Sequence, residues 1–166
     1  LHGRNWKYNL LRRAARPLVS NYIAVSQDLE TWLRLTIRVP PHKLHQIYNG
    51  VDSAKFHPRE GARPAFAHPE SIVFGSVGGM VEVKDYPFIQ LVHRQPERAE
   101  RARLVIVGEG PARGVCQALL QQAGLAHLAW LPGERDDIAE IMRAFDVFVL
   151  PSKNEGISNT VLEAQA

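Results

Sequence analysis

From residue 71 onward, apolar runs of strand length alternate with helical stretches, and this rhythm predicts an α/β fold with a parallel, doubly wound sheet. Two observations carry the prediction. The runs at 72–77, 103–107 and 146–150 are apolar nearly throughout, as buried strands are. Glycine-bearing turns then follow the strands and lead into helices: 75–84, 108–111, 131–133 and 152–160.

The stretch before residue 58 is a separate part. Residues 6–18 place Trp6, Leu10, Leu11, Ala14, Ala15 and Leu18 at helical spacing, with Arg4, Lys7, Arg12, Arg13 and Arg16 interleaved. Tyr22-Ile23-Ala24-Val25 is expected to be a short buried strand. Ser26 caps a helix to about residue 36, with Asp28 in its positive first turn. Val39-Pro40-Pro41 stops it. His45-Gln46-Ile47-Tyr48 is a second buried-type strand, and Asn49-Gly50 turns the chain. Pro58, Gly61, Pro64 and Pro69 mark a linker over 58–70. The expected organisation is thus 1–57, linker 58–70, and 71–166.

In the last part, 72–77 is a strand and 85–95 a helix whose Pro87 suits a first turn. Residues 103–107 form a strand, and 113–123 a helix closed by Gly124 at its C′ position. A strand over 128–131, a helix over 136–143 and a strand over 146–150 complete the series.

Composition narrows the function classes. The apolar share is 45% and the charged share 22%, those of a soluble globular protein. The net charge of +3 is too small to imply nucleic acid. A single cysteine, Cys116, excludes an internal disulfide and fits a reducing compartment. No apolar run approaches the roughly 18 residues of a membrane span, and no signal peptide is evident. The expected location is the cytoplasm, peripheral on the inner face of the membrane. The basic segment 4–16 reads either as a contact to an anionic membrane surface or as a solvated helix face.

The chemistry concentrates near the C-terminal end. Glu155 and Glu163 bracket Gly156-Ile157-Ser158-Asn159-Thr160, directly after the apolar run that ends at Leu150. Free N–H groups at a helix start attract phosphate, and glycine permits close backbone approach. The two carboxylates can accept hydrogen bonds from hydroxyls on either side of that phosphate. A sugar nucleotide has this order of groups. A plainer reading stays open: Thr160 to Glu163 fits a capping box, in which Glu163 only finishes the helix. Lys84, after the first glycine turn, is either a point charge for a phosphate or a solvated lysine at a helix start.

Other chemistries are excluded by spacing. Gly75, Gly78 and Gly79 do not form a dinucleotide fingerprint, and in Gly108, Gly110 and Gly114 the third glycine comes one residue late. No Walker loop is present. These failures argue against a nicotinamide-dependent oxidoreductase and an ATPase. His42 and His45 form a surface turn rather than a metal site, and Gly156-Ile157-Ser158 lacks the second glycine of a nucleophile elbow.

Taken in order, five segments resemble the group 1 glycosyltransferases, family 4, of the GT-B fold. They are Tyr22-Ile23-Ala24-Val25-Ser26; Ile47-Tyr48-Asn49-Gly50-Val51-Asp52 with Phe56 and Pro58; Val107-Gly108-Glu109-Gly110-Pro111; Leu131-Pro132-Gly133; and Pro151-Ser152 through Glu155-Gly156 to Glu163-Ala164. The resemblance covers most of the chain, and within the family it leans toward bacterial exopolysaccharide sugar transferases. It implies a GT-B fragment: an incomplete Rossmann-like parallel sheet of the C-terminal domain, preceded by the tail of an N-terminal acceptor domain. The implied activity is retaining transfer of a sugar from a UDP- or GDP-sugar to a glycan or lipid-linked acceptor in polysaccharide biosynthesis. No metal, cofactor or nucleic acid is implied. Glu155 would bind hydroxyls of the donor sugar and Glu163 the ribose. Amides of Gly156, Ile157, Ser158, Asn159 and Thr160, the turn at Gly78 and Gly79, and the Lys84 side chain would hold the diphosphate. Preorganised N–H groups and lysine would then stabilise the departing nucleoside diphosphate.

Two features depart from the family pattern. Gly79 stands where members carry arginine, and a charged hydrogen bond is worth roughly 1.5–3 kcal/mol. The chain begins at Leu1 and stops at Ala166 inside the signature helix, so we expect a piece of a longer protein that does not turn over alone. The alternatives are another GT-B activity, such as a sugar-nucleotide epimerase, or a non-catalytic sugar-nucleotide-binding module.

Overall fold

A computed structural model of the chain describes residues 5–58, 70–82, 101–153, 155 and 157–166. The chain forms two compact units, Leu1–Gly50 and Val51–Ala166.

The first unit opens with helix α1, Trp6–Ala15, capped by the Asn5 side chain, which accepts from the Lys7 amide at 3.1 Å. A 3₁₀ turn, Arg16–Leu18, leads to strand β1, Tyr22–Ala24. Ser26 caps helix α2, Gln27–Trp32, accepting from the Leu29 amide at 3.1 Å. The helix widens into a π-turn, Leu33–Ile37, and Arg38 ends it in the left-handed conformation, φ 62°. Strand β2, Leu44–Gln46, pairs with β1 in parallel.

Two expectations for this unit need correction. The apolar runs at 22–25 and 45–48 do not become fully buried strands: Ile23 is 58% exposed, and Ile47 and Tyr48 are exposed beyond the end of β2. Only one face of the two-stranded sheet is covered, so alternate residues face out. Ala24 packs inward against Leu33, Ile37 and Val39. In α1 the apolar positions are not the packing face either. Trp6, Leu10 and Leu11 are exposed, whereas Arg13 and Arg16 turn inward and donate to the carbonyls of Thr36 and Arg38. Arg12 stacks over the Trp32 ring, 5.4 Å from its centroid.

The second unit begins with a turn. The Asp52 side chain accepts from the Ala54 amide at 3.0 Å, and its carbonyl accepts from the Phe56 amide at 2.8 Å. The reversal thus falls at 52–55 rather than at Asn49-Gly50, because the carboxylate supplies an Asx-type bond there. Four strands follow: β3 (Ile72–Val77), β4 (Ala102–Val107), β5 (Ala129–Gly133) and β6 (Val147–Phe148). They run parallel in the order β5-β4-β3-β6. Helix α3, Arg113–Gln122, lies between β4 and β5 in the chain. Helix α4, Ile138–Met142, precedes β6, and helix α5, Asn159–Gln165, comes last. The expected linker over 58–70 and the expected helix over 85–95 fall largely or wholly outside the described residues.

The parallel strands are largely apolar because the sheet is packed on both faces. Val105 and Val107 of β4 join Val73, Val77, Ala139, Ile141 and Met142 on one side. Leu104 and Ile106 join Met80, Cys116, Leu120 and Leu125 on the other. Each fully buried side chain of this size contributes roughly 1.5–3 kcal/mol. Burial raises the Cys116 thiol above its usual pKa. Gly124, at φ 70°, closes α3 as its position suggests.

Three boundaries differ from expectation. A 3₁₀ turn at Ala126–Leu128 takes up the start of the expected fifth strand, so β5 begins at Ala129 and runs through Pro132. Helix α4 starts two residues later than expected, because Asp137 is held by Arg135 in a two-pronged ion pair at 2.8 and 2.6 Å. Strand β6 covers only Val147–Phe148 of the expected 146–150, starting after Asp146 and ending before Val149. At Asp146 the side chain, rather than the main chain, accepts from the Val73 amide at 2.8 Å.

Candidate functional site

The chain moves from β3 to β4 to β5 in one direction and then returns to place β6 on the other side of β3. In open α/β sheets such a reversal opens a crevice beyond the carboxyl ends of the two diverging strands. The turn after β3 and the segment after β6 therefore emerge side by side. The registers Phe74–Val147 and Gly75–Phe148, and the bond from the Val149 amide to the Gly75 carbonyl at 2.7 Å, fix this juxtaposition.

Main-chain bonds join the turn after β3 to its neighbours. The Gly78 amide donates to the Val107 carbonyl at 3.0 Å, and the Met80 amide to the Glu109 carbonyl at 2.7 Å. In return the Ala112 amide donates to the Met80 carbonyl at 2.8 Å. Such close backbone approach explains the glycines of the second turn. A Cβ on Gly108 would lie 2.1 Å from the Gly78 carbonyl oxygen, and one on Gly110 would lie 2.4 Å from that of Met80. Both also have φ values, 135° and 154°, that side chains rarely adopt.

Gly79 is different. Among the described residues a Cβ there would meet nothing nearer than the Glu109 carbonyl oxygen at 3.9 Å, so none of them requires glycine by space.

The second and third turns share a side-chain link. The Arg113 guanidinium pairs with the Glu109 carboxylate and also donates to the Leu131 carbonyl at 2.8 Å. The Gly108 amide donates to the Gly133 carbonyl, also at 2.8 Å. This link was not anticipated, although the i, i+4 spacing of Glu109 and Arg113 was there to see. Just beyond lies the Arg135–Asp137 pair, whose guanidinium holds the Asp137 carboxyl below its usual range.

In the fourth segment the Glu155 carboxylate accepts from the Ser152 hydroxyl at 2.8 Å. Ser158, in extended conformation, is the N-cap of α5, and its carbonyl accepts from the Val161 and Leu162 amides. The Ser158 and Thr160 hydroxyls lie 2.9 Å apart. This corrects the capping-box reading: Thr160 is already the second helical residue, so Glu163 is not three residues past the cap and does not close the helix start. Glu163 is half-buried and lines a cavity of about 250 Å³ with Phe56, Arg143 and Phe145. Ile157 and Thr160 are half-buried, and Asn159 is exposed. Lys84 and Gly156 lie outside the described residues.

The reversal of the sheet thus brings the turn after β3 and the segment that holds Glu155 to neighbouring strand exits, while Glu163 lines the cavity beside Phe56. Residues 71–166 match the family described as glycosyl transferases group 1, and residues 1–55 match glycosyltransferase family 4. The chain is 31% identical to a protein named as the glycosyltransferase EpsF of Bacillus subtilis, over 99% of the chain and 45% of that protein. It is 24% identical to the Vi polysaccharide biosynthesis protein VipC/TviE of Salmonella typhi, over 89% of the chain and 26% of that protein. Among solved structures, Anabaena Alr3699/HepE, determined with UDP and glucose, superposes with a TM-score of 0.72 at 20% identity, covering 94% of the chain and 45% of that protein. That likeness shows the fold, of GT-B type. The chain thus spans less than half the length of these proteins.

Proposed function

The chain belongs to the group 1 glycosyl transferases, and from that premise we propose that the protein moves a sugar from a nucleoside-diphosphate sugar to a glycan or lipid-linked acceptor, with retention, in polysaccharide biosynthesis. The observation that carries this reading is the crevice at the reversal of the sheet. The Gly78-Gly79 turn follows β3, and the segment that holds Glu155 and Glu163 follows β6, the strand paired with β3.

The residue roles are those the family resemblance implies, and the chemistry of each group is consistent with them. Amides of Gly79, Gly156, Ile157, Ser158, Asn159 and Thr160 would hold a diphosphate beside the Gly78 turn, whose own amide is engaged with the Val107 carbonyl, with Lys84 as the cation. Glu155 accepts from donor-sugar hydroxyls, and its bond from Ser152 fixes its orientation. Glu163 accepts from the ribose hydroxyls. As the glycosidic bond breaks, charge builds on the departing diphosphate, and fixed N–H groups with Lys84 stabilise it. This scheme needs no metal, and chelation with EDTA should leave turnover unchanged.

UDP-, GDP- and ADP-sugars screened by thermal shift against the intact protein test the donor. One base should raise the melting temperature, and transfer followed by NMR of the new anomeric proton should show retention. Conversion of the donor without an acceptor would instead indicate an epimerase, and binding without transfer a non-catalytic module.

A peripheral contact with the inner face of the membrane, in the cytoplasm, completes the proposal. Helix α1 turns Trp6, Leu10 and Leu11 outward beside Lys7, a mixture suited to an anionic lipid surface. Arg13 and Arg16 are engaged with backbone carbonyls, so Trp6 and Lys7 carry this contact. Vesicle binding unchanged by Trp6→Ser with Lys7→Gln would remove it.

A further inference from the structure

We propose that Arg113 and Glu109 form a clasp that positions the turn Leu131-Pro132-Gly133 for the nucleobase of the donor, making Arg113 a positioning residue. The proposal rests on the donor-site reading above. The clasp takes hold where the regular sheet is interrupted. Pro132 has no N–H to give the ladder, and the pairing of β4 with β5 shifts register between Val105 and Val107. At that point the carbonyl before Pro132 accepts from the Arg113 guanidinium at 2.8 Å, and the carbonyl after it accepts from the Gly108 amide at 2.8 Å. The Glu109 carboxylate sits directly on Gly133: a Cβ there would lie 2.6 Å from its Oε1 and 3.3 Å from Arg113 Nη1.

Two features make the clasp local rather than a general support. The Arg113 and Glu109 side chains are 31% and 45% exposed, and exposed ion pairs add little to global stability. They also join the turn after β4 to the carboxyl end of β5, at the edge where the strand exits gather. β5 lies two strand spacings, about 10 Å, from β3, and a nucleoside is about that long. With the sugar assigned to the β6 side of β3, the β5 side is left for the base.

The test uses calorimetry on the intact protein with three probes: UDP, GDP and inorganic pyrophosphate. Arg113→Met should weaken the tighter-binding nucleoside diphosphate about 10–100-fold while pyrophosphate binds as before. Arg113→Lys, able to reach one partner at a time, should restore only part of the loss. If Arg113→Met fails to fold, Glu109→Gln carries the same test with the same expected pattern. Unchanged nucleoside diphosphate binding in a folded variant overturns the clasp, as does an equal loss of pyrophosphate. A wild-type protein that binds pyrophosphate but neither UDP nor GDP overturns the donor-site reading and the clasp with it.

Discussion

Gly79 stands where the family resemblance implies arginine, and among the described residues nothing demands glycine there. Its φ is outside the positive range of its neighbour Gly78, and a Cβ would meet only the Glu109 carbonyl oxygen, at 3.9 Å. Gly79→Arg should therefore be tolerated and tighten donor binding by about 0.5–2 kcal/mol, less at high salt, because arginine grips phosphate through two parallel bonds. Calorimetry with the donor and with pyrophosphate measures it, and no change in a folded variant would place the diphosphate elsewhere. Glu163→Gln should weaken the donor but spare pyrophosphate. Gly75 is the opposite case. A Cβ there would meet the Phe145 ring at 2.1 Å. Gly75→Ala should cost about 1–3 kcal/mol by overpacking, read from the denaturation midpoint.

At the scale of elements, the parallel strands of the second unit were the most legible. Their apolar runs leave no alternation to misread, since both faces are covered. The short strands of the first unit misled for the same reason. Tyr22-Ile23-Ala24-Val25 has the composition of a doubly covered strand, but its sheet has one covered face, which composition does not encode. Helix α1 misled further, because its arginines pack by donating to carbonyls at the end of the next helical segment. Boundaries were least legible where side chains replaced the main chain, as at Asp146. Asp146→Ala should leave the Val73 amide without that acceptor and cost about 1–3 kcal/mol. Asp146→Asn, keeping an oxygen, should recover much of it. Equal stability of both variants and wild type in urea would show that the bond contributes nothing.

For the molecule as a whole, the glycine turns and paired glutamates were visible in the sequence as spacings, and the resemblance they carry is matched by the family and the fold. Their spatial order was not visible. That β6 lies beside β3 rather than beyond β5 is a property of tertiary pairing, and it makes the first turn and the glutamate segment neighbours. The clasp of Arg113 stayed hidden because its main partner, the Leu131 carbonyl, has no side-chain signature. The two units should also differ in local stability. A two-stranded pair is marginal in water, whereas β4 is paired on both edges and buried. Amides of Tyr22–Ala24 and Leu44–Gln46 should exchange with solvent well before those of Ala102–Val107 in this 166-residue chain. Equal protection would show that the first unit is as stable as the second.

The central claim is that a nucleoside-diphosphate sugar lies in the crevice between the exits of β3 and β6. A crystal structure of the intact protein with a bound UDP- or GDP-sugar tests it most directly. The diphosphate should lie over Gly78-Gly79 within hydrogen-bond reach of Lys84, with the sugar against Glu155 and the ribose against Glu163. Lys84 and Glu155 on opposite edges of the sheet, or a nucleotide bound away from the Gly78-Gly79 turn, would contradict it.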